Sequence, residues 1–150
     1  MTKNPRIGEL SARRSELRRA GRFREAIPLQ LELIELLESE KVSPDRLAMA
    51  HNMASVLYLR AKLISCAEWH ARRALAMNTG DSAKDHEARG TYHLVLAQIV
   101  ASRCDFEEAH RLGEKALTEF ARFHNPPDDF LSRVICEVQS MKDRTWVLEE

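Results

Sequence analysis

Helix- and sheet-breaking residues are scarce in this chain: glycine and proline occur five times each in 150 residues. Leu, Ala, Arg and Glu dominate instead, and all four favour helix, so the composition argues for helices over sheet. Net charge is also absent, with 23 basic against 23 acidic side chains. Nothing global therefore drives the chain toward nucleic acid or an anionic membrane. The three cysteines, Cys66, Cys104 and Cys136, form no C-x-x-C pair. An odd, unpaired set of this kind suggests free thiols in a reducing compartment. The opening MTKNPRIGEL has no apolar signal-peptide core. No run approaches the roughly 20 apolar residues that span a bilayer, and the longest apolar patch, around His93–Ala101, is broken by Gln98. These absences together predict a cytoplasmic protein. No G-x-S-x-G, phosphate loop, H-E-x-x-H or glycine-rich nucleotide fingerprint occurs, so no catalytic role and no cofactor is expected.

What is present is ordinary in amount: 44% apolar and 31% charged residues. The length is that of one domain, enough to bury roughly two-thirds of the unfolded surface without staples. The charge is unevenly spread. Residues 1–24 carry Lys3, Arg6, Arg13, Arg14, Arg18, Arg19, Arg22 and Arg24 against Glu9 and Glu16, whereas residues 25–45 carry six acids against Lys41. That is a bipolar helix pair rather than a basic tail.

The chain repeats itself. GRFREAIPLQLELIELL from Gly21, KLISCAEWHARRALAMN from Lys62 and CDFEEAHRLGEKALTEF from Cys104 align, with Phe23, Ile64 and Phe106 in register. Ala26, Ala67 and Ala109 follow three residues later, at intervals of 41 and 42. Seven beyond these alanines stand Leu33, Ala74 and Ala116; nine before them stand Leu17, Tyr58 and Val100. Twelve before stand Arg14, Ser55 and Ala97, the last two small enough for close helix contact. Apolar stripes at helical spacing run through Ala50, Met53, Ala54, Leu57, Tyr58 and Ala61, and through Tyr92, Leu96, Ala97 and Val100. Breaks fall at Ser43-Pro44-Asp45, where Ser43 is expected to cap, at Thr79-Gly80-Asp81-Ser82, and at Asn125 to Asp129. The pattern predicts helices at about 7–19, 23–39, 45–61, 64–77, 84–102, 106–123 and 129–143. The turns within each pair are short, which makes the paired helices antiparallel.

Gly21 to Ala26, Cys104-Asp-Phe-Glu-Glu-Ala109 and the pairs Ala74-Leu75 and Ala116-Leu117 resemble the second-helix signature of tetratricopeptide repeats. The period exceeds the family's usual spacing and is similar to that of kinesin light chain repeats, as is His51-Asn-Met-Ala-Ser-Val-Leu-Tyr58. The resemblance departs at Lys62 and Cys104, which replace a glycine, and at the bulky Arg14. It implies an all-α fold: a right-handed α-solenoid of three antiparallel helix pairs, about 7–40, 45–78 and 84–123, plus a capping helix at about 129–143, in one domain. It further implies a scaffold, adaptor or chaperone that binds a protein or peptide in a concave groove lined by the first helix of each pair.

The groove positions so implied include Arg18 and Arg19, then Asn52, Val56, Leu59 and Arg60, then Leu94 and Gln98. Arg18, Arg19 and Arg60 would converge at one end, where guanidinium groups can hold the carboxylates of an acidic partner segment. Asn52 offers hydrogen bonds to a peptide backbone. The competing surface is convex, around Trp69 with Arg72 and Arg73, where an exposed tryptophan would anchor a partner or a second copy of the chain. Packing against a neighbouring repeat is an equally good reading of Trp69. Trp146 is expected to fold back over the end of the last helix. Cys66 and His70 share a helix face but lack the further ligands a metal needs, so no metal site is expected. His51 and His93 occupy equivalent points of successive first helices, as repeated packing would require.

Overall fold

A computed structural model describes residues 4–122 and 127–148. Every regular element among them is helical: α1 Pro5–Arg19, α2 Phe23–Ser39, α3 Pro44–Arg60, α4 Ile64–Met77, α5 Ala83–Ser102, α6 Phe106–Ala121 and α7 Asp128–Lys142. The expected ends agree to within two residues; Phe123 and the break at Asn125-Pro126 lie outside the described residues.

Helix starts follow from local chemistry. Asn4 accepts the Arg6 backbone N–H at 2.9 Å ahead of Pro5. Ser82 and Asp85 form a reciprocal capping box that opens α5. Ser43 makes no capping hydrogen bond, contrary to expectation, and α3 begins on Pro44 alone. Proline suits that position because its missing N–H would have been unsatisfied anyway.

Five of the helix ends share one device. Gly21, Lys62 and Cys104 all adopt positive φ, at 74°, 64° and 64°. In each turn the following residue donates back to the last helical turn: Arg22 N to Leu17 O, Leu63 N to Tyr58 O, Asp105 N to Val100 O. These acceptors are the three residues aligned nine before the repeated alanines. Lys41 and Arg144 close α2 and α7 in the same way. This is the Schellman closure, which satisfies orphan carbonyls and favours glycine at the left-handed residue.

The helices gather into two compact units, residues 1–77 and 78–150. In the first, α1 packs on α2, α2 on α3 and α3 on α4. Leu10 shares a core cluster with Leu33, Ile34, Leu37, Ala50 and Ala54, while Leu17 shares one with Ala26, Ile27 and Leu57. Early α1 thus meets late α2, so this pair is antiparallel. In the second unit α6 packs on both α5 and α7. Ala116 and Phe120 meet Val134 and Val138, with the Phe120 and Phe130 rings edge to face at 5.0 Å. A Cβ on Gly90 would stand 2.7 Å from the Phe120 ring, so α5 and α6 approach only because this position is bare.

Lys62 and Cys104 hold a backbone conformation that costs an L-residue roughly 1–2 kcal/mol. Glycine removes that strain but loses more freedom on folding, a partial offset of about 0.4–1 kcal/mol. Lys62→Gly and Cys104→Gly are each expected to stabilise the chain by about 0.5 kcal/mol, and Gly21→Ala to destabilise it. Thermal denaturation of the three variants checks the order.

Candidate functional site

In the first unit, α1 and α3 meet where the Arg18 guanidinium approaches Met53 Sδ at 3.5 Å. Arg18 and Arg19 are exposed at the end of α1, while Asn52, Val56 and Arg60 are half-buried on α3. The Asn52 side-chain oxygen is enclosed and has no hydrogen-bond partner among the described residues. Leu59 is 2% exposed and is therefore a core residue, not part of an open wall. The resemblance implies a groove position for it, but an apolar side chain of this size favours burial.

The two groove positions expected on α5 are also occupied. Leu94 packs half-buried against the Ala116, Phe120, Val134 and Val138 cluster. Gln98 donates to Glu137 Oε2 on α7 at 2.8 Å, and the same carboxylate oxygen accepts from Trp146 Nε1 at 2.9 Å. Trp146 does fold back, to 9% exposure. Within the second unit, α7 thus engages both of these α5 positions.

On α4, Trp69 is 60% exposed. Arg72 is tied to Glu68 at 2.9 Å, and Arg73 is exposed. The ring of Trp69 is not isolated. It meets the His70 ring edge-on at 4.8 Å and the His51 ring at 5.9 Å. His70 therefore turns toward His51 of its own hairpin, while Cys66 is exposed. Among the described residues, no group of three or more His, Cys, Asp or Glu side chains is placed to hold a metal.

Two polar networks were not anticipated. The first joins α1, α2 and α3: Arg14 donates to Gln30 Oε1 at 2.8 Å, and Gln30 donates to the Ala50 carbonyl at 2.8 Å. Gln30 is wholly buried. Burial, and then the neighbouring Arg18 charge, hold the Arg14 guanidinium below its ordinary pKa. Gln30 aligns with Ala71 and Gly113, just as Arg14 aligns with Ser55 and Ala97. The first hairpin replaces small-against-small packing with a long polar pair. In the second unit, His86 bonds Glu119 at 2.6 Å through Nδ1 and Asp81 at 2.9 Å through Nε2. Arg89 reaches the Asn78 side chain at 3.0 Å, so residues 78–82 are pinned to the start of α5. A hollow of about 600 Å³ beside α6 is walled by that helix and Asp105, and His110 and Arg111 in it are already matched with Glu114 and Glu108.

No protein-family model matches the chain, and no curated protein matches it. The first unit carries two exposed cations at the end of α1, and on α3 an enclosed amide oxygen and the apolar Val56.

The Arg14–Gln30 pair yields a non-additive prediction. Gln30→Ala strands a half-buried cation, which is expected to cost about 2–3 kcal/mol. Adding Arg14→Ser, which restores the small residues of the second hairpin, should recover part of that loss. Chemical denaturation of both single variants and the double variant measures the coupling; strict additivity would refute it.

Proposed function

We propose that the chain is a protein- or peptide-binding scaffold, a short tetratricopeptide-like solenoid of three helix pairs with α7 as its cap. The zero exposure of Ala26, Ala67 and Ala109, and the identical turn that precedes each of them, support that architecture. The partner is a segment with an acidic end, bound along the α1/α3 face. One observation carries this reading. Arg6, Arg13 and Arg22, on and beside α1, pair with Glu9 and Glu32, with Glu16, and with Glu25. Arg18 and Arg19 make no ion pair among the described residues. Two adjacent exposed guanidinium groups left over in a helix pair rich in glutamate are available to an incoming carboxylate. On α3 the Asn52 side-chain oxygen also lacks a donor, and because it is enclosed the amide must turn outward to receive one. The role is binding rather than catalysis.

A second reading has its own observation: Trp69, 60% exposed on α4, would anchor a second copy of the chain. Size-exclusion with light scattering separates the two readings, since a monomer at high concentration removes self-association.

Arg18→Ala/Arg19→Ala should leave folding within about 0.5 kcal/mol, as exposed substitutions do. Affinity for a partner captured from native lysate should fall ten- to hundredfold, roughly 1.5–3 kcal/mol for lost charge-assisted contacts, and should weaken with salt. Arg72→Ala/Arg73→Ala is the control. Titration calorimetry on both variants decides: loss in the control alone would place the site around Trp69.

A further inference from the structure

His51 on α3 and His70 on α4 are buried, at 5% and 8% exposure, and their Nδ1 atoms lie 2.9 Å apart. The ring centroids are 5.1 Å apart with 27° between planes. That separation is close to the N···N distance plus two ring radii, so the rings meet edge to edge in nearly one plane. This is an N–H···N hydrogen bond, not a face-to-face stack. One ring must carry its proton on Nδ1 and the other must not. Tyr58 lies parallel to His70 at 5.5 Å, and Trp69 closes the cluster edge-on. We propose that the His51–His70 pair is a two-proton clasp, which holds α3 to α4 while at least one ring is neutral and opens when both are protonated.

The chemistry sets the threshold. A first proton converts the donor ring to imidazolium, and its Nδ1–H still points at a free lone pair, so the bond survives. A second proton places N–H against N–H at 2.9 Å, and the rings must part. The surroundings resist that second step. Burial first, and then the charge of His51, depress His70 to about 4. Burial and then Arg73 on α4 depress His51, while Glu38 on α2 partly opposes them. Tyr58 on α3, with Cys66 beside it on α4, remains protonated throughout this range, its phenol pushed up by burial and then by Cys66. In the unfolded chain both rings take protons near 6.5. Between that value and the folded values the unfolded chain binds more protons. The stability the pair contributes is therefore complete above about 6.5 and is lost as pH falls toward 4. The two protons titrate as a pair rather than as separate sites.

A fall in Tm reports the opening, while Trp69 reports charge on the pair, because an imidazolium at its edge quenches indole emission. The full chain carrying Trp146→Phe isolates that signal. From pH 7.5 to 4, Trp69 emission should change and Tm should fall by several degrees more than in His51→Phe/His70→Phe, which keeps the apolar volume and cannot titrate. Parallel Tm curves for the two chains would overturn the clasp. Should the double variant fail to fold, nitrogen-15 NMR of the unaltered chain decides. At pH 7 one ring should be the Nδ1–H tautomer, with coupling across the hydrogen bond. Two Nε2–H tautomers would overturn the proposal.

Discussion

Each hairpin of this chain depends on an alanine. Ala26, Ala67 and Ala109 have no exposure at all, and each sits just past the turn where one helix folds back on its partner. A methyl group there lets the two backbones approach; a larger side chain would hold them apart and uncover the stripe on both sides. Ala54 and Leu57 in α3, and Leu96 and Val100 in α5, are buried on the facing helices. Gly90 extends the same logic to its limit, since the Phe120 ring takes the place a side chain would fill.

The first hairpin meets the same constraint differently. Arg14 and Gln30 fill with hydrogen-bonded length what Ser55 and Ala71 leave as close contact. Gln30 accepts from Arg14 Nη1 with its carbonyl and spends its amide on the Ala50 carbonyl, so one buried side chain ties three helices, while Arg14 Nε is enclosed without a partner among the described residues. Apolar contacts would tolerate sliding; this linkage fixes the position of α1 against α2 and α3. It also explains how α1, whose buried residues are only Leu10 and Leu17, stays attached.

The all-helical class, the helix bounds and the repeated alanines were legible because they depend on periodicity and on local breakers. Side-chain partnerships across a hairpin were not. Along the sequence His51 matches His93, its counterpart in the repeat, and Cys66 matches His70, its neighbour along α4; the structure joins His51 to His70 instead. In an antiparallel pair, residues roughly equidistant from the turn face each other, and that rule would have brought both His51 to His70 and Arg14 to Gln30. Leu94 and Gln98 were misread for another reason. Nothing along α5 itself announces that α7 lies against it; that depends on contacts far apart in sequence. Arg18 and Arg19, at the end of α1, stay exposed.

The turns at Gly21, Lys62 and Cys104 close through main-chain hydrogen bonds alone. A closure of that kind asks nothing of side-chain chemistry beyond tolerance of one unusual backbone angle. A hydrogen atom, a cation and a thiol all serve along one trace, the last two at a modest backbone cost. Each of these turns can therefore drift in sequence, acquiring or shedding charge, while the local path of the chain stays put. A fold pinned by methyl groups and peptide bonds can lose its recognisable letters long before it loses its shape.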